Sequence, residues 1–397
     1  MNDWIAQPRL AAWCGWVIAA VFALAPLLAW GGPLAFAPVV ALAGLLTLPN
    51  FRVREEDRPA AIAVLVLVIW AAGSMVWSPY TPKNPGQATG LKLILEAALF
   101  GSAITAARGA SPTPRRWLLR FLAWGMALLG VVMIVEAATS AGIYRALRVA
   151  MHDPIRPDLG IKNVAQALFI LALFTPAAMI AAVRVGGGWL LWIPMMVGIA
   201  WPSLAFSYDA PLLALVASLI AMGLVLRWPR TAPRVLAGVA ATFFLAAPLA
   251  VWVTRRLGWY DRLAADVSLS WSQRMGYWRH AQDWIGDHPL RGWGLDASRM
   301  FAPGIRLHPH DAALQIWLEL GLIGAVAAAV LWVAILAGLS RTRPDPAVAA
   351  GAGCAVAYLT FNAVSFGVWQ EWYLALGALA CAACAALMRQ PRRDHHP

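Results

Sequence analysis

The chain has 397 residues, of which 61% are hydrophobic and 13% are charged, and its mean hydropathy is +0.66. In soluble domains about a quarter of all residues are charged. The low charged fraction of this chain therefore excludes a soluble globular protein and predicts apolar surface that faces lipid. The formal net charge of +12 does not indicate a nucleic-acid partner, because the basic residues are spread among the connections and form no single stripe.

The predicted elements are about twelve apolar runs, each close to the length of a membrane-spanning helix. They are 10–30, 33–49, 60–78, 90–107, 117–139, 163–183, 189–206, 211–226, 235–253, 313–338, 348–366 and 369–388. We expect the first run to be an uncleaved span, since it continues into the second without a convincing processing site. The sequence therefore predicts an all-α fold, a polytopic transmembrane helical bundle of about 12 spans, with residues 1–397 as one domain.

Charge sets the predicted orientation of this bundle. The short connections on the side of the N-terminus are rich in arginine: Arg52, Arg54, Arg58, Arg108, Arg115, Arg116, Arg184, Arg227, Arg230, Arg234, Arg341 and Arg343, followed by Arg389, Arg392 and Arg393 in the tail. The opposite short connections hold only Lys83. By the positive-inside rule, both termini are predicted to be cytoplasmic.

Two longer segments on the predicted outer side are also basic. Residues 140–162 and 254–312 contain Arg145, Arg148, Arg156 and Lys162, and Arg255, Arg256, Arg262, Arg274, Arg279, Arg291, Arg299 and Arg306. Guanidinium groups suit phosphate, so these segments predict an outer helical cap that binds an anion. Contact of these arginines with lipid headgroups is the alternative.

Within the large outer loop 254–312, one stretch has helical periodicity. From 270 to 285, Trp271, Met275, Trp278 and Ile285 fall on one face, which predicts a helix on the membrane surface. Arg274 lies at the margin of that face, from which it could turn toward a cavity.

The start of the tenth span holds the most informative motif. Asp311 is a predicted N-cap, which places His310 at a helix N-terminus where the dipole favours an anion. Gly321 and Gly324 predict close helix packing. Two alternatives remain: His308 and His310 could bind zinc with Asp311 or His288, or His310 could be a structural cap residue.

These motifs resemble the bacterial O-antigen ligase and polymerase family. His310 and Asp311, nine residues and then Gly321 to Gly324 match its His-(Asn/Ser/Gln)-x9-Gly-x-x-Gly pattern, with Asp311 in place of the usual residue. A second pattern of the family has an arginine, then a tryptophan, then Pro-Leu-x-Gly-x-Gly. The matching residues in this sequence are Arg274, Trp278, Pro289, Leu290, Gly292 and Gly294. The run from Arg156 to Asn163 resembles an outer loop of the family. Many members have a Ser-Arg pair in mid-chain, where this sequence has Ser207, Tyr208 and Asp209.

The resemblance implies an inner-membrane glycosyltransferase with its active site facing the periplasm. Such an enzyme transfers a glycan from undecaprenyl diphosphate to a hydroxyl of lipid A-core or of a second lipid-linked glycan, with inversion and without a metal or other cofactor. His310 would be the base, Arg274 a second catalytic residue, and Arg274 and Arg156 would bind the diphosphate. A lipid-linked glycan flippase or another polytopic transporter is the alternative.

Charged and thiol side chains inside the runs have simpler interpretations. Lys92 could bind diphosphate, but we expect it to pair with Glu96 four residues later on the same helix. Glu319 is predicted to be a packing or hydrogen-bonding residue. Cys381 and Cys384, inside an Ala-rich run, are predicted to be packing residues rather than a redox pair.

Overall fold

The computed structural model describes residues 8–342 and 344–388. In these ranges the chain forms fifteen α-helices, α1 to α15, with no β-strand. Their bounds are α1 Pro8–Gly31, α2 Phe36–Thr47, α3 Arg58–Ser74, α4 Thr89–Gly109, α5 Pro112–Ala138, α6 Gly142–Ala150, α7 Pro157–Arg184, α8 Trp192–Ala205, α9 Asp209–Arg227, α10 Ala232–Arg256, α11 Trp259–Asp266, α12 Leu269–Ile285, α13 Ala312–Leu339, α14 Pro346–Val364 and α15 Glu371–Leu387.

Eleven helical segments in this part of the chain are long and apolar enough to span a membrane. The twelfth predicted run is α15, an apolar helix of 17 residues. The predicted all-α polytopic bundle is thus confirmed. The third run was predicted to reach residue 78, but α3 ends at Ser74, because the chain turns over 75–77. Residues 1–7 and the tail arginines Arg389, Arg392 and Arg393 lie outside the described ranges, as does Arg343.

The helix α7 forms the centre of the bundle. Most of its residues from Val164 to Ala182 are buried, on every face. A helix that is apolar all round is stable only when neighbours cover it on all sides. Aromatic contacts show this packing: the Phe174 ring lies 6.0 Å from Phe22 of α1, and the Phe169 ring lies 5.0 Å from Phe361 of α14.

The connections alternate between two ends of the bundle. One end, here called the site end, carries residues 32–35, 75–88, 139–156, 206–208, 257–311 and 365–370; it includes the helices α6, α11 and α12. Polar contacts join neighbouring elements at each end. At the site end Trp30 donates to Glu136 (2.7 Å), and at the opposite end Arg184 pairs with Asp345 (2.9 Å).

The helix α13 is broken at Gly321, where φ is 66° and ψ is −162°. The loop 289–294 fills the break. Trp293 N donates to Leu318 O (2.9 Å), Gly294 N to Glu319 O (2.7 Å) and Leu322 N to Pro289 O (2.8 Å). Trp70 Nε1 donates to Leu320 O (3.0 Å). These bonds satisfy backbone groups that the break frees inside a span, where water is excluded.

Gly321 was predicted to allow a neighbouring helix to pack closely. This prediction is wrong, because the loop 289–294, and not another helix, lies against Gly321. A Cβ atom at Gly321 would lie 2.4 Å from the carbonyl carbon of Leu290, so the close approach is to the loop. Gly292 has φ of 68°, and a Cβ atom at this position would likewise clash with the backbone of Glu319. The two halves of the family motif thus contact each other through glycines that accept a positive φ.

Candidate functional site

His310 lies at the site end, directly before the N-cap of α13. Its backbone has φ of 58°, and its Nδ1 atom lies 2.7 Å from the carbonyl oxygen of Ser365. A carbonyl can only accept, so Nδ1 carries the proton of the neutral imidazole. The lone pair is consequently on Nε2, which is the nitrogen able to take a proton from another molecule.

The surroundings of His310 favour its neutral form. Burial lowers its pKa from the ordinary value, the bond to Ser365 partly opposes this, and the charge of Arg274 lowers the pKa further. At neutral pH the imidazole is therefore unprotonated on Nε2. That is the state a general base requires.

His308 supports the backbone of His310. Its Nδ1 accepts from the backbone N–H of His310 (3.2 Å), and the two rings are 4.2 Å apart. A Cβ at Gly367 would lie 2.9 Å from the His308 ring, so the ring is held against that glycine. Burial, with smaller contributions from His310 and Arg299, lowers the pKa of His308 to about 3. His308 is thus a neutral support and carries no charge next to His310.

Asp311 is the N-cap of α13, as predicted. Its Oδ1 accepts from Leu314 N (2.9 Å). Burial raises the pKa of Asp311 to about 7, although the amide groups of Leu314 and Ala313 act in the other direction. The charge that Asp311 adds beside His310 is therefore smaller than that of an ordinary carboxylate at neutral pH.

The predicted helix over 270–285 is α12, and it lies against the His310 loop. Met275 and Ile285 are buried, and Trp278 Nε1 donates to Pro309 O (3.0 Å). The ring of Tyr277 stacks at 6.0 Å from the ring of His310. The helix therefore braces the loop that holds the imidazole.

Arg274 projects from α12 and is half-buried. Its guanidinium carbon lies 5.0 Å above the ring of Trp271. In the described part of the chain, it has no hydrogen bond and no carboxylate within 4 Å. Burial lowers its pKa, and the charge of Asp209 opposes this. Arg274 is close enough to His310 to lower the pKa of the imidazole, so these two residues are brought together.

Two other predicted site residues are engaged with carboxylates. Arg156 precedes α7, is largely exposed and pairs with Asp158 (2.8 Å). Lys92 on α4 pairs with Glu371 (2.5 Å), so its predicted ion pair with Glu96 is wrong. The start of α15 brings Glu371 to Lys92, a contact between helices that spacing along α4 could not indicate.

The segment 365–371, between α14 and α15, is a part of the site that the sequence did not indicate. It supplies the Ser365 carbonyl, and Val368 N donates to Gln315 Oε1 (3.1 Å). Trp369 Nε1 donates to Glu319 (2.6 Å). Most of these contacts use backbone atoms or an amide, which leave no recognisable motif.

Glu319 joins this segment to the loop 289–296. Its carboxylate also accepts from Asp296 N (3.0 Å) and from Gln315 Nε2 (3.1 Å). Its predicted role as a hydrogen-bonding residue is confirmed. Because Glu319 is fully buried, these donors are what make the polar group tolerable inside a span.

The zinc alternative depends on His308, His310, Asp311 and His288. His288 packs against Trp293 with 4.3 Å between ring centroids, and Asp311 caps its own helix. Among residues 8–342 and 344–388, no group of three or more His, Cys, Asp or Glu side chains could hold a metal ion.

Residues 203–329 match the family model described as O-antigen ligase. A protein of Rickettsia conorii named as a candidate polysaccharide ligase is 28% identical over 120 residues, which are 27% of this chain and 29% of that protein. One from Rickettsia prowazekii with the same kind of name is 26% identical over 120 residues, 27% of this chain and 30% of its own. One from Rickettsia bellii is 38% identical over 69 residues, 17% of each chain.

The matches thus span less than a third of each relative. The family-model match runs from the end of α8 into α13 and contains Arg274 and His310, whereas Lys92 and Arg156 lie outside it. Its limits enclose the α12 helix, the loop 289–294 and the break at Gly321, the parts whose contacts form the candidate site. The stretch 203–329 of the chain is thus similar to the O-antigen ligase family, as its motifs predicted.

Proposed function

We propose that this protein is a membrane glycosyltransferase that moves a glycan from undecaprenyl diphosphate to an acceptor hydroxyl. The supporting observation is that His310, unprotonated on Nε2, is within electrostatic reach of a half-buried Arg274 that has no hydrogen-bonded partner among the described residues. A half-buried guanidinium without a hydrogen-bonded partner is unfavourable, and an anionic ligand would relieve that cost.

The proposed reaction is one direct displacement. The acceptor hydroxyl gives its proton to His310 Nε2 while its oxygen attacks the anomeric carbon of the donor sugar. The bond from that carbon to the diphosphate oxygen breaks, and undecaprenyl diphosphate leaves as an anion. Direct attack inverts the configuration of the anomeric carbon. The proposal assigns charge stabilisation to guanidinium groups, so it requires no metal ion.

Arg274 is the primary diphosphate ligand in this proposal. Arg156 is exposed and could contribute after exchanging Asp158 for phosphate. Lys92 would contribute only if the donor displaced Glu371 from its ammonium group. Of the proposed ligands, Arg274 is therefore the one that needs no rearrangement of an existing ion pair.

The proposed location is the bacterial inner membrane, with both termini in the cytoplasm and the site end in the periplasm. The distribution of short-loop arginines supports this orientation. Lipid A-core is the acceptor we favour, because the relatives that match residues of this chain are named as candidate polysaccharide ligases. A polymerase would use a second lipid-linked glycan with the same chemistry.

Deletion of the gene, followed by extraction of lipopolysaccharide and lipid-linked glycans, tests the proposal. Loss of the long lipopolysaccharide ladder with full-length polymer retained on the carrier is the result expected for a ligase. Single repeats on the core would indicate a polymerase. Repeat units retained on the cytoplasmic leaflet would indicate a flippase and contradict the proposal.

Complementation with His310→Ala tests the proposed base. We expect a fall in transfer rate of roughly 10²–10⁴-fold, the usual contribution of a general base. His280→Ala is the matched control, since His280 lies on α12 but carries no proposed role. Normal transfer by His310→Ala at wild-type protein levels would remove His310 from the mechanism.

A further inference from the structure

The side chain of Trp271 links two elements of the site end. Its Nε1 lies 3.4 Å from Oδ2 of Asp209, the first residue of α9. The face of the same indole lies 5.0 Å from the guanidinium carbon of Arg274, three residues later on α12. The edge of the Trp271 indole therefore contacts α9, and its face contacts the guanidinium of Arg274.

Arg274 needs such a support if it is to act on a ligand. An arginine side chain has several rotatable bonds, and fixing them opposes binding unless the geometry exists beforehand. Residues three apart on a helix are neighbours, so Trp271 is placed to hold the side chain of Arg274. The cation–π contact leaves the N–H donors of the guanidinium available.

Asp209 acts on Arg274 electrostatically and does not bind the N–H donors of its guanidinium. Its charge is near enough to raise the pKa of Arg274, yet its carboxylate is not within 4 Å of the guanidinium. The oxygen is instead directed to the indole N–H. Asp209 can thus attract the arginine and fix the supporting ring while the donors stay available to an incoming phosphate.

We propose that Asp209 and Trp271 are positioning residues that hold Arg274 for the diphosphate of the donor lipid. The inference rests on the proposed function. It also gives a role to an acidic residue in the mid-chain segment where many family members have a Ser-Arg pair.

The test measures binding of undecaprenyl diphosphate to the full-length protein in nanodiscs by isothermal titration calorimetry, with thermal unfolding as the check on folding. Asp209→Ala and Trp271→Leu should each weaken binding roughly 5- to 30-fold, the range of a partly desolvated cation–π contact. Asp209→Asn keeps an acceptor for the indole N–H, so it should bind within about threefold of wild type.

A double-mutant cycle separates positioning from general structural damage. In an Arg274→Ala background, Asp209→Ala should have no further effect on binding, because the residue that it positions is gone. Additive losses in the double variant would overturn the inference. So would wild-type binding by both Asp209→Ala and Trp271→Leu.

The same data distinguish this inference from the proposed function. If Arg274→Ala binds undecaprenyl diphosphate as wild type does, the proposed diphosphate site itself is wrong. If only Arg274→Ala is weakened, that site stands and the positioning role of Asp209 and Trp271 is wrong. Trp252→Leu is the matched control, because Trp252 on α10 carries Arg256 at 5.5 Å in the same kind of contact; its binding should be unchanged.

Discussion

The Nδ1 atom of His310 and the carbonyl oxygen of Ser365 are 2.7 Å apart, and this contact determines which ring nitrogen can act as a base. The partner is a backbone oxygen, which orients the ring without adding the full charge of a carboxylate. Burial and Arg274 together outweigh its effect, so the pKa of His310 stays below the ordinary value. The imidazole is oriented, neutral and available on Nε2 at neutral pH.

The pH dependence of transfer should report this pKa. A base acts in its unprotonated form, so the rate should be constant above about pH 6.5, the ordinary value, and fall as the pH drops through the lowered pKa of His310. Arg274→Gln removes a cation that lowers this pKa, so the acid limb of the residual activity should move to higher pH. Single-turnover rates from pH 4.5 to 8 would measure the acid limb of wild type and that of Arg274→Gln.

Arg279→Gln is the control for that experiment. Arg279 lies on the same helix, is exposed, and does not act on the pKa of His310. Its acid limb should coincide with that of wild type. An unchanged limb in Arg274→Gln would show that Arg274 does not act on the imidazole.

Asp311→Asn should raise stability, and more so as the pH rises. Asn caps a helix as well as Asp does. The folded-state pKa of Asp311 is about 7, above its unfolded value near 4, so wild type loses stability as the pH rises from about 4 to 7. The variant lacks this loss, and a difference of about three pKa units makes it more stable by up to about 4 kcal/mol at pH 8. Thermal unfolding in detergent at pH 5 and pH 8 measures the difference.

Asp311→Ala separates the cap from the charge. It removes the acceptor for Leu314 N and should cost about 1 kcal/mol at low pH, where the charge of Asp311 is absent. If Asp311→Asn gains nothing between pH 5 and pH 8, the carboxyl is not held in its protonated form.

Gly321→Ala should disrupt the site. An alanine at φ of 66° and ψ of −162°, a combination that essentially only glycine adopts, costs about 1–3 kcal/mol, and its Cβ would also meet the Leu290 backbone at 2.4 Å. The loop 289–294 must then move away from α13, so we expect a lower unfolding temperature and loss of transfer. Gly338→Ala is the control: nothing lies within 4 Å of its Cβ, and the change should stabilise α13 by up to about 1 kcal/mol.

Exchange of the charges at Lys92 and Glu371 should reveal what Lys92 does. Lys92→Glu alone places two carboxylates together and should reduce transfer, because Glu371 ends the segment that holds His310. Adding Glu371→Lys restores an ion pair across α4 and α15, and activity should return if pairing is the role of Lys92. Continued loss in the double variant, with normal unfolding temperature, would indicate that Lys92 contacts the diphosphate.

Much of this architecture could be predicted because a bilayer imposes simple rules. The lengths of the apolar runs gave twelve helices, and the periodicity of 270–285 gave α12. The break at Gly321 could not be foreseen, since a glycine with positive φ and a glycine at a helix contact look identical in a sequence. The role of Ser365 was equally hidden, because a backbone carbonyl is independent of residue type. Lys92 was assigned to Glu96 because spacing along one helix says nothing of a neighbouring helix.

The pairing of the loop 289–294 with the break at Gly321 also fixes the order in which the site can assemble. The loop is synthesised before α13, yet its backbone partners, Leu318 O, Glu319 O and the amide of Leu322, lie more than one turn inside that later helix. The loop therefore cannot form these hydrogen bonds until α13 has been inserted. The Ser365 carbonyl becomes available only after α14 has been synthesised. A nascent chain released before α14 would hold every residue from Arg274 to His310 and still lack an oriented base.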